Sequence, residues 1–177
     1  KSPHHTREAD TNSRGPRAFV IPGNHDWFDG LATYTRLILA RTYLGGWLMP
    51  QSRSYFALAL PHGWWIFGAD LALANDIDME QYRFFESVAK NRLGPTSAVI
   101  IVTHEPFWTL DGMNPDIHPS DLAEPNLREL MRNPLRGKVR CRLAGDLHHY
   151  TRHVPDVGRM RPSADANANA NANANAP

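Results

Sequence analysis

Short apolar runs alternate along the chain with stretches in which apolar residues recur every third or fourth position. Ala18-Phe19-Val20-Ile21, closed by Pro22-Gly23, predicts a buried strand ending in a turn. Leu31, Tyr34, Leu37, Ile38 and Arg41 then fall at helical spacing, so a helix is expected to open at Asp29-Gly30 and close at Gly45-Gly46. Ser54 to Leu60 and Trp64 to Ala69 flank Pro61-His62-Gly63, the pattern of an antiparallel hairpin. Asp78, three residues before Gln81, gives a capping-box-like start to a helix with Tyr82, Phe85, Val88 and Ala89 on its apolar face and Gly94-Pro95 at its end. The unbroken run Ala98-Val99-Ile100-Ile101-Val102 predicts a strand over Ser97 to Thr103 that is buried on both faces. A helix between Glu124 and Arg132, with Pro125 in its first turn, and a last strand over Lys138 to Ala144 complete the pattern. Strands separated by helical stretches imply an α/β fold, and the hairpin implies a mixed sheet or two sheets.

The periodicity stops at both ends. Residues 1–16 form a polar lead-in without helical or strand period, residues 17–154 hold the folded domain, and residues 155–177 are an Ala/Asn-rich tail with too little side-chain area to offset the entropy of ordering it. The first residue is Lys1 and no signal-peptide pattern follows, so the chain reads as a piece of a longer one. A net charge of +1, with no basic stripe interleaved with aromatics, argues against a nucleic-acid partner. The single cysteine, Cys141, excludes an internal disulfide framework and a thiolate zinc cage, and favours a reducing, cytoplasmic setting. No membrane span is expected, because the greasiest stretch, Leu31 to Met49, is interrupted by Arg36 and Arg41.

Three of the predicted strands run into dense polar clusters: Gly23-Asn24-His25-Asp26, His104-Glu105, and Gly145-Asp146-Leu147-His148-His149. Ligands of open α/β sheets bind outside the carboxyl ends of strands, so the clusters can converge on one rim. Their donors are Asn, Asp and His without thiolate, a set suited to Zn²⁺, Mn²⁺ or Fe. Glycines before Asn24 and Asp146 are expected to let the backbone turn sharply there. His104-Glu105 has no second histidine four residues on, which excludes a zinc-protease helix.

The order Gly-Asn-His-Asp, a lone His after a strand, and Gly-Asp-x-His resembles the calcineurin-like metallophosphoesterase family over about Val20 to Tyr150, and within it a branch of large plant and microbial proteins. The resemblance implies a β-sandwich flanked by helices, incomplete at its amino end, and hydrolysis of a phosphoester by two divalent ions (Mn, Fe or Zn). It implies that Asn24, His104 and Asp146 bind one ion, Asp146 standing where the family has a histidine, and that His148 binds the other. His25 would protonate or stabilise the leaving oxygen, with Asp26 orienting it. Two ions roughly 3.5–4 Å apart clamp phosphoryl oxygens and activate water, and an imidazole can give up a proton near neutral pH. A helix starting near Asp29 would add its positive dipole end to the same rim.

Two departures qualify that picture. The family's upstream Asp-x-His and Gly-Asp, which supply three further ligands, are absent before Gly23, so the chain as given is expected to bind metal incompletely and to turn over little. Asp146 in place of histidine makes an otherwise complete site neutral, and less attractive to phosphate. Alternatively Asp146 turns away, and His149 or a water takes the ligand position. The rival to a metal-dependent hydrolase is a non-catalytic scaffold or protein-binding module of the same fold. Asp70, at the end of another strand, reads as a turn or cap residue, while Trp27 and Trp108 lie beside the motifs.

Overall fold

The computed structural model describes residues 15–71, 75–109, 122–148 and 150–154. The expected tail, most of the lead-in and His149 lie outside the described residues. The described chain is mixed α/β, with a two-stranded ribbon, β1 (Tyr43–Leu44) and β2 (Trp47–Leu48), and a four-stranded sheet in the order β3-β4-β5-β6. The sheet strands are β3 (Phe56–Ala59), β4 (Trp64–Gly68), β5 (Ala98–Thr103) and β6 (Val139–Ala144). β3 and β4 pair antiparallel as the hairpin pattern predicts, whereas β4 with β5 and β5 with β6 are parallel. Parallel neighbours need crossovers. Helices α2 (Met79–Arg92) and α3 (Pro125–Arg132) lie in the β4–β5 and β5–β6 connections.

Both helices supply the main core. Phe85 of α2 is fully buried, stacked on Phe67 of β4 at 5.0 Å between ring centroids, and Leu127 and Leu130 of α3 join Val99 and Ile101 of β5 in the same cluster. The burial of β5 alternates: Val99, Ile101 and Thr103 are buried, while Ile100 and Val102 are half-buried. Burial on both faces, expected from the unbroken apolar run, is therefore complete on one face only. On β4, Gly68 pairs with Phe56, whose ring lies where a side chain at Gly68 would stand, and Phe19 packs on that ring at 5.2 Å.

Three local expectations change. The segment Ala18 to Ile21 belongs to no strand; Arg17 makes an isolated bridge to Leu48, Ala18 N–H donates to Leu48 O, and the Gln51 amide holds both Val20 N and Val20 O. A side chain thus occupies the place of a neighbouring strand. The helix expected from Asp29 is irregular: a 3₁₀ turn over Asn24–Asp29, a left-handed Leu31, the short α1 (Ala32–Tyr34) and a π turn over Thr35–Leu39. No regular helix begins there to lend its dipole. Gly45 and Gly46 do not end that segment; both have positive φ and form the two-residue turn of the β1–β2 ribbon.

Capping fixes the two regular helices. Asp78 Oδ1 accepts Gln81 N–H at 2.8 Å, the predicted half of the capping box. The Gln81 side chain instead pairs in both directions with the backbone of Asp70, at 3.0 and 2.9 Å. The first N–H groups of α3 are capped from far away, since Asp76 accepts from Asn126 N at 2.7 Å and Leu127 N at 3.1 Å. Asp76→Ala is expected to lower the unfolding free energy by about 1–2 kcal/mol, measured by urea titration, because two orphaned helix donors lose their acceptor.

Candidate metal centre

The β5 and β6 strands run side by side with Thr103 opposite Ala144, so their polar continuations leave the sheet together. Gly145 N–H donates to His104 O at 3.0 Å, which ties the two strand ends. His104 Nε2 then stands 3.2 Å from Asp146 Oδ1, with the side chains 21% and 32% exposed. Asp146 does not turn away. Thr103 Oγ1 donates to Glu105 O at 3.0 Å, where the strand ends. His104, Glu105 and Asp146 each offer a ligand atom within 4.8 Å of the others. His104 Nε2 and Glu105 Oε2 are buried and have no hydrogen-bond partner. One imidazole and two carboxylates grouped this closely, without sulfur, fit a hard divalent cation.

Burial pushes the Glu105 carboxyl above the usual carboxylate range; His104 pulls it back, and Asp146 and Glu124 add repulsion. Glu124 itself is fully buried at the start of α3, in an ion pair with Arg142 of β6. The Arg142 guanidinium also lies 4.3 Å from the centroid of the Trp108 ring. Burial raises the Glu124 carboxyl, against the opposing pull of Arg142 and Arg128.

The first polar cluster reaches this centre through its glycine. A Cβ on Gly23 would stand 3.1 Å from His104 Cε1, so the turn packs directly against the imidazole. Gly23 has extended backbone, and its value lies in space rather than in a left-handed turn. Asn24, His25 and Asp26 follow on the 3₁₀ turn and are exposed. Asp26, expected to orient His25, accepts Gly23 N–H through Oδ2 at 2.8 Å, and the His25 ring packs on Phe28 at 4.8 Å. After β6 the left-handed positions are Asp146 and His148, not Gly145. His148 is exposed and is not a member of the three-donor group.

Glu105 carries no motif signal; consecutive strand residues face opposite ways, and only the bend after Thr103 lets His104 and Glu105 contribute to one group. Trp27 Nε1 donates to Asp70 Oδ1 at 2.9 Å, anchoring the 3₁₀ turn to the end of β4. Asp70 is thus a buried anchor that also lines a cavity of about 430 Å³ with Trp27, Asp76 and Asn126. Tyr34 is buried nearby with its hydroxyl unpartnered, and burial, then Asp26 and Asp70, raise its pKa. No helix among the described residues is long and apolar enough to cross a membrane. No family model, curated protein or solved structure matches the chain.

Proposed function

We propose that the chain carries the metal-binding rim of a calcineurin-like metallophosphoesterase, in which this sheet is one layer of a β-sandwich and the substrate is a phosphoester. The observation that carries this reading is the meeting of His104 and Asp146, 3.2 Å apart at the ends of neighbouring parallel strands. Both are ligands implied by the resemblance, and their meeting requires the topology rather than the motif alone. Divalent ions, when bound, supply Lewis acidity to the phosphoryl group and lower the pKa of water. The protein's own contribution is positional. The Gly145–His104 backbone bond ties the two strand ends that carry the side chains, and Gly23 packs against the imidazole. His25, one residue beyond Asn24 on the exposed turn, is placed in the reading as the proton donor to the leaving oxygen.

Release of phosphate or p-nitrophenol from p-nitrophenyl phosphate and bis(p-nitrophenyl) phosphate tests the reading, with Mn²⁺, Zn²⁺ or EDTA in the assay. Slow hydrolysis that requires the metal and stops in EDTA is expected. Turnover indifferent to EDTA overturns the metal-dependent reading. Absence of turnover in a longer chain that supplies an upstream Asp-x-His and Gly-Asp favours the scaffold.

A further inference from the structure

We infer that Glu105 is the third protein ligand of a single divalent-ion site closed by His104 and Asp146. The inference rests on the metal-dependent reading above and adds to it a donor that the motifs do not contain. Geometry comes first. The three ligand atoms lie within 4.8 Å of one another, and donors sharing one cation at roughly 2.0–2.2 Å stand about 3–4.4 Å apart, so side-chain shifts on the order of an ångström close the site.

Polar bookkeeping points the same way. His104 Nε2 and Glu105 Oε2 are both buried and neither has a hydrogen-bond partner. The Glu105 oxygen is thus a buried carboxylate atom without a hydrogen bond, which is costly in the protein alone, and the His104 nitrogen faces Asp146 Oδ1 at 3.2 Å without hydrogen-bond geometry. A cation held among the three side chains gives the Glu105 carboxylate a partner and binds the His104–Asp146 pair at its contact, and two carboxylates with a neutral imidazole balance its two charges. The cluster is also framed by backbone: the Thr103 hydroxyl on Glu105 O sets the bend that carries Glu105, and the Gly145 N–H on His104 O holds the opposite strand. The donor set of one nitrogen and two oxygens selects Mn²⁺ or another hard ion over Cu(I).

Calorimetric titration of the full chain with Mn²⁺ tests the inference, with Glu105→Gln, Glu105→Asp and His104→Ala as variants. The wild-type chain is expected to take up one Mn²⁺, Glu105→Gln to bind at least about tenfold more weakly, and Glu105→Asp to recover part of that loss because it keeps the carboxylate. Without metal, Glu105→Gln should melt at or above the wild-type temperature, since it replaces a carboxylate whose buried oxygen has no hydrogen bond by a neutral amide. Wild-type affinity in Glu105→Gln together with lost binding in His104→Ala overturns the role of Glu105 and leaves the metal reading standing. Equal weakening in the Gln and Asp variants assigns the effect to shape and overturns the role as well. No uptake of Mn²⁺ by the wild-type chain overturns both.

Discussion

Arg142→Met is expected to lower the unfolding free energy at neutral pH by about 3–5 kcal/mol, the usual cost of leaving one member of a buried ion pair without its partner. Glu124 is fully buried and its carboxylate oxygen Oε1 takes the Arg142 guanidinium, while Oε2 has no partner even in the wild-type chain. Removal of Arg142 therefore strands a charge that burial already disfavours, and it also removes the cation over the Trp108 ring. Urea unfolding measures the loss. In the double variant Glu124→Leu/Arg142→Met most of it should return, because no charge remains to be stranded.

The pH dependence of that loss has a definite sign. Burial holds the Glu124 carboxyl above its unfolded value, so the folded state keeps a proton that the unfolded state releases. Such a group contributes stability that is present below the unfolded pKa and declines as pH rises through the folded one. Without the opposing pull of Arg142 the folded pKa moves further up and the window widens. The Met variant should consequently be closest to wild type in acid and diverge as pH rises towards neutrality. A loss that does not change between mildly acidic and neutral pH would mean that packing against Trp108, rather than the stranded carboxylate, sets the cost.

Local chemistry was legible wherever the partner lay within a turn. Asp78 reads as a helix cap from its own neighbours, and the hairpin over Pro61–Gly63 follows from two apolar runs and a glycine-bearing connection. What escaped the sequence depends on partners far along the chain. Asp76 caps a helix that begins at Pro125, Gln51 takes the place of a strand beside Val20, and Gln81 abandons its capping box for Asp70. In each case a polar side chain satisfies backbone groups brought near by tertiary packing, and no local pattern encodes the distance bridged. Gly45-Gly46 misleads for a related reason. Paired glycines stop a helix or turn a ribbon equally well, and the bonds between Tyr43–Leu44 and Trp47–Leu48 decide between them.

The candidate centre divides along the same line. Strand ends could be read, and with them the polar clusters on β5 and β6; the meeting of His104 with Asp146 then follows once those strands are neighbours. Glu105 stands in the polar cluster after β5, but the motifs give it no role as a donor, and only the bend after Thr103 brings its carboxylate near His104. The side chains on the exposed 3₁₀ turn depend on two residues that composition does not single out. Trp27 anchors the turn through Asp70, and Phe28 lies against His25.

That turn carries the largest functional expectation. In the proposed reaction His25 protonates the leaving oxygen, so His25→Ala should lower kcat/KM about 10²- to 10⁴-fold for an alkyl phosphomonoester, whose alkoxide is a poor leaving group. p-Nitrophenolate leaves without a proton, and the same substitution should cost its ester little. The contrast separates proton donation from damage to the turn, which would slow both substrates alike. His25→Gln, which retains hydrogen bonding but cannot deliver a proton, should behave as the Ala variant does. Phe28→Ala removes the ring that lies 4.8 Å from the His25 imidazole and should give a smaller loss with the same selectivity for the alkyl ester. Equal losses on both esters would remove His25 from the chemistry and leave the strand-end cluster as the part of the rim on which the enzymatic reading stands.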